Sequence, residues 1–479
     1  MQFIKLRYLL VPAVMLIGAA RPQITAPNST NAASQQLKNW LAAYDGADWE
    51  AYLAFVQKSF VTPPEPMLRS PAFRNMTGGF DLKAIEAQTP VQITAVIEDR
   101  ASHQMARIVL EVESAEPHRI LKLHPQPIPP AHLPQQELLT RTREFVQQQV
   151  SEDKFSGVVL IAKNGEPIFE QAYGFADREH RIPNTLQTRF GTASMGKMFT
   201  AVATLQLAEG GKLKLDEPIG KYLTDYPNKD LASKVTISEL LSHTGGTGEL
   251  FGPELDKHRL ELRTHEDYIR LFGGRPVRFE PGSRWEYSNY GFVILGAVIE
   301  RVSGLSYYDY VRDHIFGPAG MTQTRFPSEG EPEPGRSVEY TKHGGTIWHP
   351  GETNPPSGPI RGMAAGGAST TIDDLLRFAN VLQANKLLDA HHTELLTTGH
   401  IATPSGGRSA YGFQDGVLNG LRCFGHDGSA PGASGDLRVC PAAAFVVAVL
   451  SNMGPSAALQ ISTFIVNRLP EPVPVHERL

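Results

Sequence analysis

Apolar residues recur at helical spacing at Leu37, Trp40, Leu41 and Tyr44, which predicts a helix over 35–44 that Asp45-Gly46 ends. A second helix is predicted over 49–60. Runs rich in Val, Ile and Leu at 91–97, 105–112 and 120–123, separated by polar turns, predict strands. His124-Pro125-Gln126-Pro127-Ile128-Pro129-Pro130 then reads as a linker, since closely spaced prolines keep a chain extended. The pattern therefore predicts a small α+β domain over 31–124 and a Pro-rich linker over 125–133.

A second and larger domain is predicted over 134–470. It opens on a helix from Pro134 to Gln149, followed by a hairpin from Val158 to Glu170 around Asn164-Gly165, a dipeptide that supplies the positive-φ turn of a two-residue connection. From Phe190 to about Leu388 the pattern is mostly helical. Thr236-Ile237-Ser238-Glu239 has the form of a capping box, and Leu375, Phe378, Ala379 and Leu382 mark an amphipathic helix. Strands return at 421–426, 436–440 and 445–450, and a closing helix runs over 457–469. Two strands, a helical block and three more strands predict an α+β fold: one antiparallel sheet flanked by helices, with an all-helical lobe beside it. The Pro- and Gly-rich stretch 326–359 is expected as a long surface loop.

The 479 residues carry a formal charge of −5, so no basic excess points to nucleic acid or an anionic membrane surface as a partner. Lys5 and Arg7, the apolar run from Tyr8 to Ala20 and the small residues Gly18-Ala19-Ala20 have the order of a secretory signal over 1–20. Secretion or a periplasmic location is the resulting expectation, with an uncleaved anchor as the alternative. No other segment is long and apolar enough to span a membrane. Cys423 and Cys440 are too few for a disulfide scaffold or a metal cluster, and both a disulfide and two free thiols fit the sequence. The sixteen histidines form no His-x-x-x-His set, so neither a metal nor another cofactor is expected.

Three polar motifs interrupt this apolar background. Gly191-Thr192-Ala193-Ser194-Met195-Gly196-Lys197 places a hydroxyl and an amine one turn apart, at the start of a helix that is apolar on nearly every face from Met198 to Ala208. A buried ammonium needs polar neighbours, and Ser194 is the nearest candidate. Tyr287-Ser288-Asn289 precedes a second apolar helix, where a phenol and an amide can face a cleft; as a packing residue and a helix cap they would be equally ordinary. Gly425-His426-Asp427-Gly428-Ser429 follows at a strand end, where small residues admit a substrate backbone.

In this order the three motifs resemble those of the serine β-lactamase and penicillin-binding-protein superfamily, Ser-x-x-Lys, then Tyr-x-Asn, then Lys-Thr-Gly or a variant. The Tyr-Ser-Asn form and the His-Asp-Gly third motif are most similar to its class C-related branch: D-alanyl-D-alanine carboxypeptidases, D-aminopeptidases and family VIII esterases. Leu240-Leu241-Ser242-His243-Thr244-Gly245-Gly246, Glu280-Pro281-Gly282 and Ala365-Gly366-Gly367 add to the likeness, which spans about 133–469. The small first domain resembles the NTF2-like fold.

The resemblance implies a β-lactamase/transpeptidase-like fold and an acyl-enzyme mechanism. Ser194 would attack a carbonyl, Lys197 and Tyr287 would share the proton transfers, and Asn289 would orient the lysine and the substrate amide. The N–H groups of Ser194 and Ser429 would form the oxyanion hole. His426 would steady the phenol and the substrate and make activity titrate near neutrality, and Gly428 would admit the substrate backbone. Asp427 departs from the pattern, where relatives carry Thr or Ser. A carboxylate there disfavours acidic substrates by about 1 kcal/mol, so an ester or a peptide with a free amine is expected ahead of a β-lactam. The alternatives are a β-lactamase or D-Ala-D-Ala carboxypeptidase, and a non-catalytic cell-wall-peptide-binding protein. Oligomeric state stays open.

Overall fold

The computed structural model describes residues 31–471 apart from 47, 102, 329–332, 342–348, 351–360 and 405. The expected signal segment 1–20 and parts of the expected loop 326–359 lie outside the described residues. The chain divides into two units, the first ending at Ile128 and the second beginning at Pro129.

The first unit places α1 (Ala32–Asp45), α2 (Trp49–Ser59) and α3 (Pro71–Thr77) with a four-stranded antiparallel meander of β1 (Phe80–Gln88), β2 (Gln92–Asp99), β3 (Met105–Val112) and β4 (Ile120–Ile128). Asn31 starts α1 by accepting the Ser34 N–H at 2.7 Å. The face carrying Leu37, Trp40 and Tyr44 then packs into one core with Ile93, Ile97, Ile108 and Leu110 of the sheet. The apolar pattern does not announce β1, because Asp81, Lys83, Glu86 and Gln88 leave this edge strand largely solvated.

The predicted linker is displaced. Pro125 and Pro127 belong to β4, paired with Ile108 and Ala106 of β3. β4 is an edge strand, so alternate residues need no ladder donor on their outer side, and prolines two apart are tolerated there.

In the second unit, α4 (Gln135–Ser151) leads into the hairpin β5 (Gly157–Lys163) and β6 (Glu166–Tyr173). The helical lobe includes α5 (Lys197–Glu209), α6 (Ile237–Leu241), α7 (Asn289–Ser303) and α8 (Ile372–Gln383). After it come β7 (Ile401–Ala402), β8 (Arg408–Ser409), β9 (Gln414–Leu418), β10 (Leu421–Ala430), β11 (Ala433–Cys440), β12 (Phe445–Ser451) and α9 (Ala457–Val466). Among the described residues the strands form an eight-stranded sheet, in the order β7-β8-β9-β10-β11-β12-β5-β6, with every pairing antiparallel.

Alternation along the central strands divides the core. Val158, Leu160 and Ala162 of β5, with Val446, Ala448 and Leu450 of β12, face the core shared with the lobe. Val159, Ile161, Val447 and Val449 face α4 and α9. Both faces are covered, which is why these strands read as continuous apolar runs. Cys423 and Cys440 are joined in a disulfide between β10 and β11. No helix among the described residues is long and apolar enough to cross a membrane.

Candidate active site

The lobe meets the sheet where α5 begins. Ser194 lies on a single tight turn ahead of α5, and Ala193 before it takes a positive φ of 44°, a conformation uncommon for a residue with a side chain. Two glycines make this turn possible by close approach. A Cβ on Gly428 of β10 would lie 2.1 Å from the Thr192 carbonyl oxygen, and one on Gly366 would lie 2.2 Å from that of Ala193. The third motif is therefore not a strand end, because β10 continues to Ala430. β9 pairs with it as far as Gly425, so among the described residues its outer edge is open from His426 onward, beside the Ser194 turn.

Lys197 is fully buried at the start of α5. Its Nζ lies 2.6 Å from Asn289 Oδ1, 2.7 Å from the Ala365 carbonyl oxygen and 3.2 Å from Ser194 Oγ. Burial pushes its pKa down from the usual amine range to about 7. The Asn289 amide is oriented by its other end, where Nδ2 donates to Glu249 Oε2 at 2.8 Å. Ser288, not Asn289, caps α7: its Oγ accepts the Gly291 N–H at 2.9 Å, which frees the Asn289 side chain for Lys197.

Tyr287 lines the same cleft as Ser194, and burial holds its pKa above the ordinary phenol value, so the group stays protonated. The Lys197 Nζ sits 4.8 Å from the centroid of its ring. Ser194, Lys197, Tyr287 and Asn289 are thus brought together in one site.

His426 lines the same cavity as Ser194 but does not titrate as expected. Its Nδ1–H donates to the Asp427 carbonyl oxygen at 2.5 Å, and burial pulls its pKa down from the usual imidazole value. The ring is therefore neutral at pH 7, and the group that titrates near neutrality is Lys197. Ser429 contributes backbone to the site, because its hydroxyl is turned to the Pro455 carbonyl oxygen at 2.8 Å.

Asp427 stands opposite Asp436 across the β10–β11 pair, an unfavourable juxtaposition that Arg438 relieves. Arg438 Nε is 2.9 Å from Asp436 and its Nη1 donates to Gln414 Oε1 at 3.0 Å, while Gln414 Nε2 donates to Asp427 at 2.6 Å. The Arg438 charge and the hydrogen bond from Gln414 keep the Asp427 pKa below the ordinary carboxyl value in spite of burial. The carboxylate is therefore charged.

The cleft over Ser194 has a volume of about 750 Å³ and is lined by Tyr287, Asn289, His426 and Asp427, by the carboxylates of Asp256 and Glu339, and by Phe251. Its described lining residues include no lysine or arginine. Separately, Glu209, Asp389 and His392 offer ligand atoms within 4.8 Å of one another, at the far end of α5 from Ser194. Asp389 Oδ1 there already accepts the His392 backbone N–H at 2.7 Å.

Sequence reasoning assigned no task to Glu249, Gln414 or Arg438: Glu249 meets Asn289 40 residues away, and Arg438 meets Gln414 24 residues away. It quoted His243 and Ala365 only as parts of the likeness.

The sequence matches the Beta-lactamase family over residues 142–467. It is 31% identical over 280 residues to esterase EstB of Burkholderia gladioli, covering 52% of this chain and 71% of that protein. The structure resembles the penicillin-binding protein of Bacillus halodurans, with a TM-score of 0.60, 32% identity and coverage of 67% of this chain and 98% of that one. It also resembles a D-stereospecific amidohydrolase from Streptomyces sp., with a TM-score of 0.56, 25% identity and coverage of 68% and 97%. With the family match spanning more than half of its length and the sheet and lobe meeting at the Ser194 turn, the chain belongs to the beta-lactamase family of serine hydrolases.

Proposed function

We propose that the protein is an exported serine hydrolase that cleaves an ester or amide bond through an acyl-enzyme on Ser194. One observation carries this reading: the valences of the Lys197 amine. A neutral amine has two N–H donors and one lone pair. Asn289 Oδ1 and the Ala365 carbonyl can only accept, so they take both donors, and the lone pair is left for the Ser194 hydroxyl 3.2 Å away. A pKa of about 7 makes that neutral form available at physiological pH.

In the proposed reaction, Ser194 Oγ adds to the substrate carbonyl as its proton passes to Lys197. The N–H groups of Ser194 and Ser429 receive the developing oxyanion, for which the open edge of β10 is suited. Tyr287, kept protonated by burial, hands a proton to the leaving alcohol or amine and regains one from Lys197. Water then attacks the acyl-Ser194 ester by the reverse proton route and releases the acid. A non-catalytic binding protein would have no need of a buried amine with its lone pair aimed at a hydroxyl.

The cleft supports a neutral or cationic substrate over an acidic one. Arg438 and Arg336 partly offset Asp427 and Glu339, at 3.9 and 2.8 Å, and among the described lining residues there is no lysine or arginine to receive a carboxylate. The test is a fluorophosphonate probe with mapping of the labelled peptide, followed by a panel of short-chain esters, D-aminoacyl amides, D-Ala-D-Ala peptides and a chromogenic cephalosporin. Labelling at Ser194 and ester turnover above cephalosporin turnover are expected. Labelling at another residue, or no adduct with any acyl donor alongside reversible binding of muropeptide, would remove the reading.

Charge in the cleft has its own consequence. Asp427→Asn is expected to raise kcat/KM for an anionic ester about fivefold relative to its neutral counterpart, corresponding to about 1 kcal/mol of relieved repulsion. An unchanged ratio would show that Arg438 already neutralises the carboxylate.

A further inference from the structure

Resting on that reading of the site, we propose that His243 is the positioning residue for the Tyr287 phenol, gripping the chain on both sides of the tyrosine and packing its ring against the phenol ring.

His243 has a φ of 61°, a left-handed conformation in which glycine or asparagine is expected. Glycines stand two and three positions later, so a glycine here would have cost the turn nothing. The side chain is what the position requires. The ring is buried, and its Nδ1 accepts the Ser288 N–H at 3.1 Å. The carbonyl of the same residue accepts the Glu286 N–H at 2.9 Å. Tyr287 is the residue between those two donors. The imidazole lies 4.4 Å from the Tyr287 ring, centroid to centroid, with 31° between the planes, and 5.1 Å from the Phe292 ring.

The residues that follow serve the rest of the motif in register. The Gly248 carbonyl accepts the Ser288 hydroxyl, the Thr247 hydroxyl lies 2.8 Å from it, and Glu249 holds Asn289. One face of the loop 243–249 is thus a template for 286–289. His243 is the part of that template that touches the proton-carrying residue.

Accepting at Nδ1 places the ring proton of the neutral imidazole on Nε2. The titratable groups around the ring are Lys197, His426 and Tyr287; burial first, with Lys197 beside it, keeps it from gaining a second proton. A protonated ring could not accept from Ser288 and would set a cation against the Lys197 amine.

The test compares His243→Gly and His243→Asn in the full chain, alone and with Tyr287→Phe, using p-nitrophenyl butyrate as the probe. Both replacements tolerate the left-handed backbone, but only asparagine keeps an acceptor near the place of Nδ1. His243→Gly is expected to lower kcat by about twentyfold or more with KM changed less than about twofold, His243→Asn to stay within about fivefold of wild type, and His243→Gly to add less than about twofold in the Tyr287→Phe background. Water admitted by His243→Gly is also expected to raise the pH of the acidic limb of kcat/KM, since it relieves the desolvation of Lys197. If the glycine variant does not fold, His243→Asn decides alone, because its remaining loss must vanish in the Tyr287→Phe background. Equal losses in both backgrounds, or equal kcat for the glycine and asparagine variants at matched Tm, would overturn the proposal. Absence of wild-type turnover together with absence of Ser194 labelling would instead overturn the hydrolase reading beneath it.

Discussion

Ser194→Ala is expected to lower ester turnover by about 10⁴-fold or more and to abolish labelling by a fluorophosphonate. The size follows from the loss of the atom that becomes covalently bonded. The oxyanion donors and the cleft remain, and they alone supply only a small part of the acceleration. The fold is expected to persist, since Ser194 Oγ contributes one 3.2 Å contact to Lys197 while Asn289 and Ala365 still hold the amine. An unchanged Tm with no turnover supports the assignment. A Ser194→Ala protein that still forms an adduct would place the nucleophile elsewhere.

Lys197→Met is expected to lower kcat/KM by about 10³-fold, within the range ascribed to general bases, and to erase the acidic limb of the pH profile. The sign follows from which form works. The neutral amine accepts the Ser194 proton, and burial has lowered its pKa to about 7. Activity in the wild type is therefore complete above that value and falls about tenfold per pH unit below it. Methionine matches the length of the lysine stem, and it removes the expense of burying an amine but leaves Asn289 Oδ1 and the Ala365 carbonyl without their donor. A retained limb near pH 7 in Lys197→Met would assign the titration to another group. His426 would not be that group, because burial moves its pKa away from neutrality.

These two expectations also separate the roles of Lys197 and Tyr287. The same burial that lowers an amine pKa raises a phenol pKa, because in each case the charged form is penalised. Lys197 and Tyr287 share one dry site and are pushed in opposite directions, the amine toward being a base and the phenol toward staying a donor. No neighbouring charge is required for the division of labour.

The amino-acid sequence by itself determined the elements that depend on local pattern. The helix carrying Leu37, Trp40 and Tyr44, the hairpin around Asn164-Gly165, the capping box at Thr236–Glu239 and the apolar runs of β5 and β12 follow from periodicity and turn chemistry that each residue carries with it. The three polar motifs were visible for the same reason, since a hydroxyl one turn from an amine is a local fact. What only the tertiary structure decided is where those groups lie in relation to distant ones. The direction of the Lys197 lone pair depends on Asn289 and Ala365, 92 and 168 residues away. The protonation of His426 depends on burial beneath a lobe, and the prolines at 125 and 127 became a strand because an edge was available to them. Burial and long-range hydrogen bonds set those properties, and neither is encoded in the neighbours of the residue they act on.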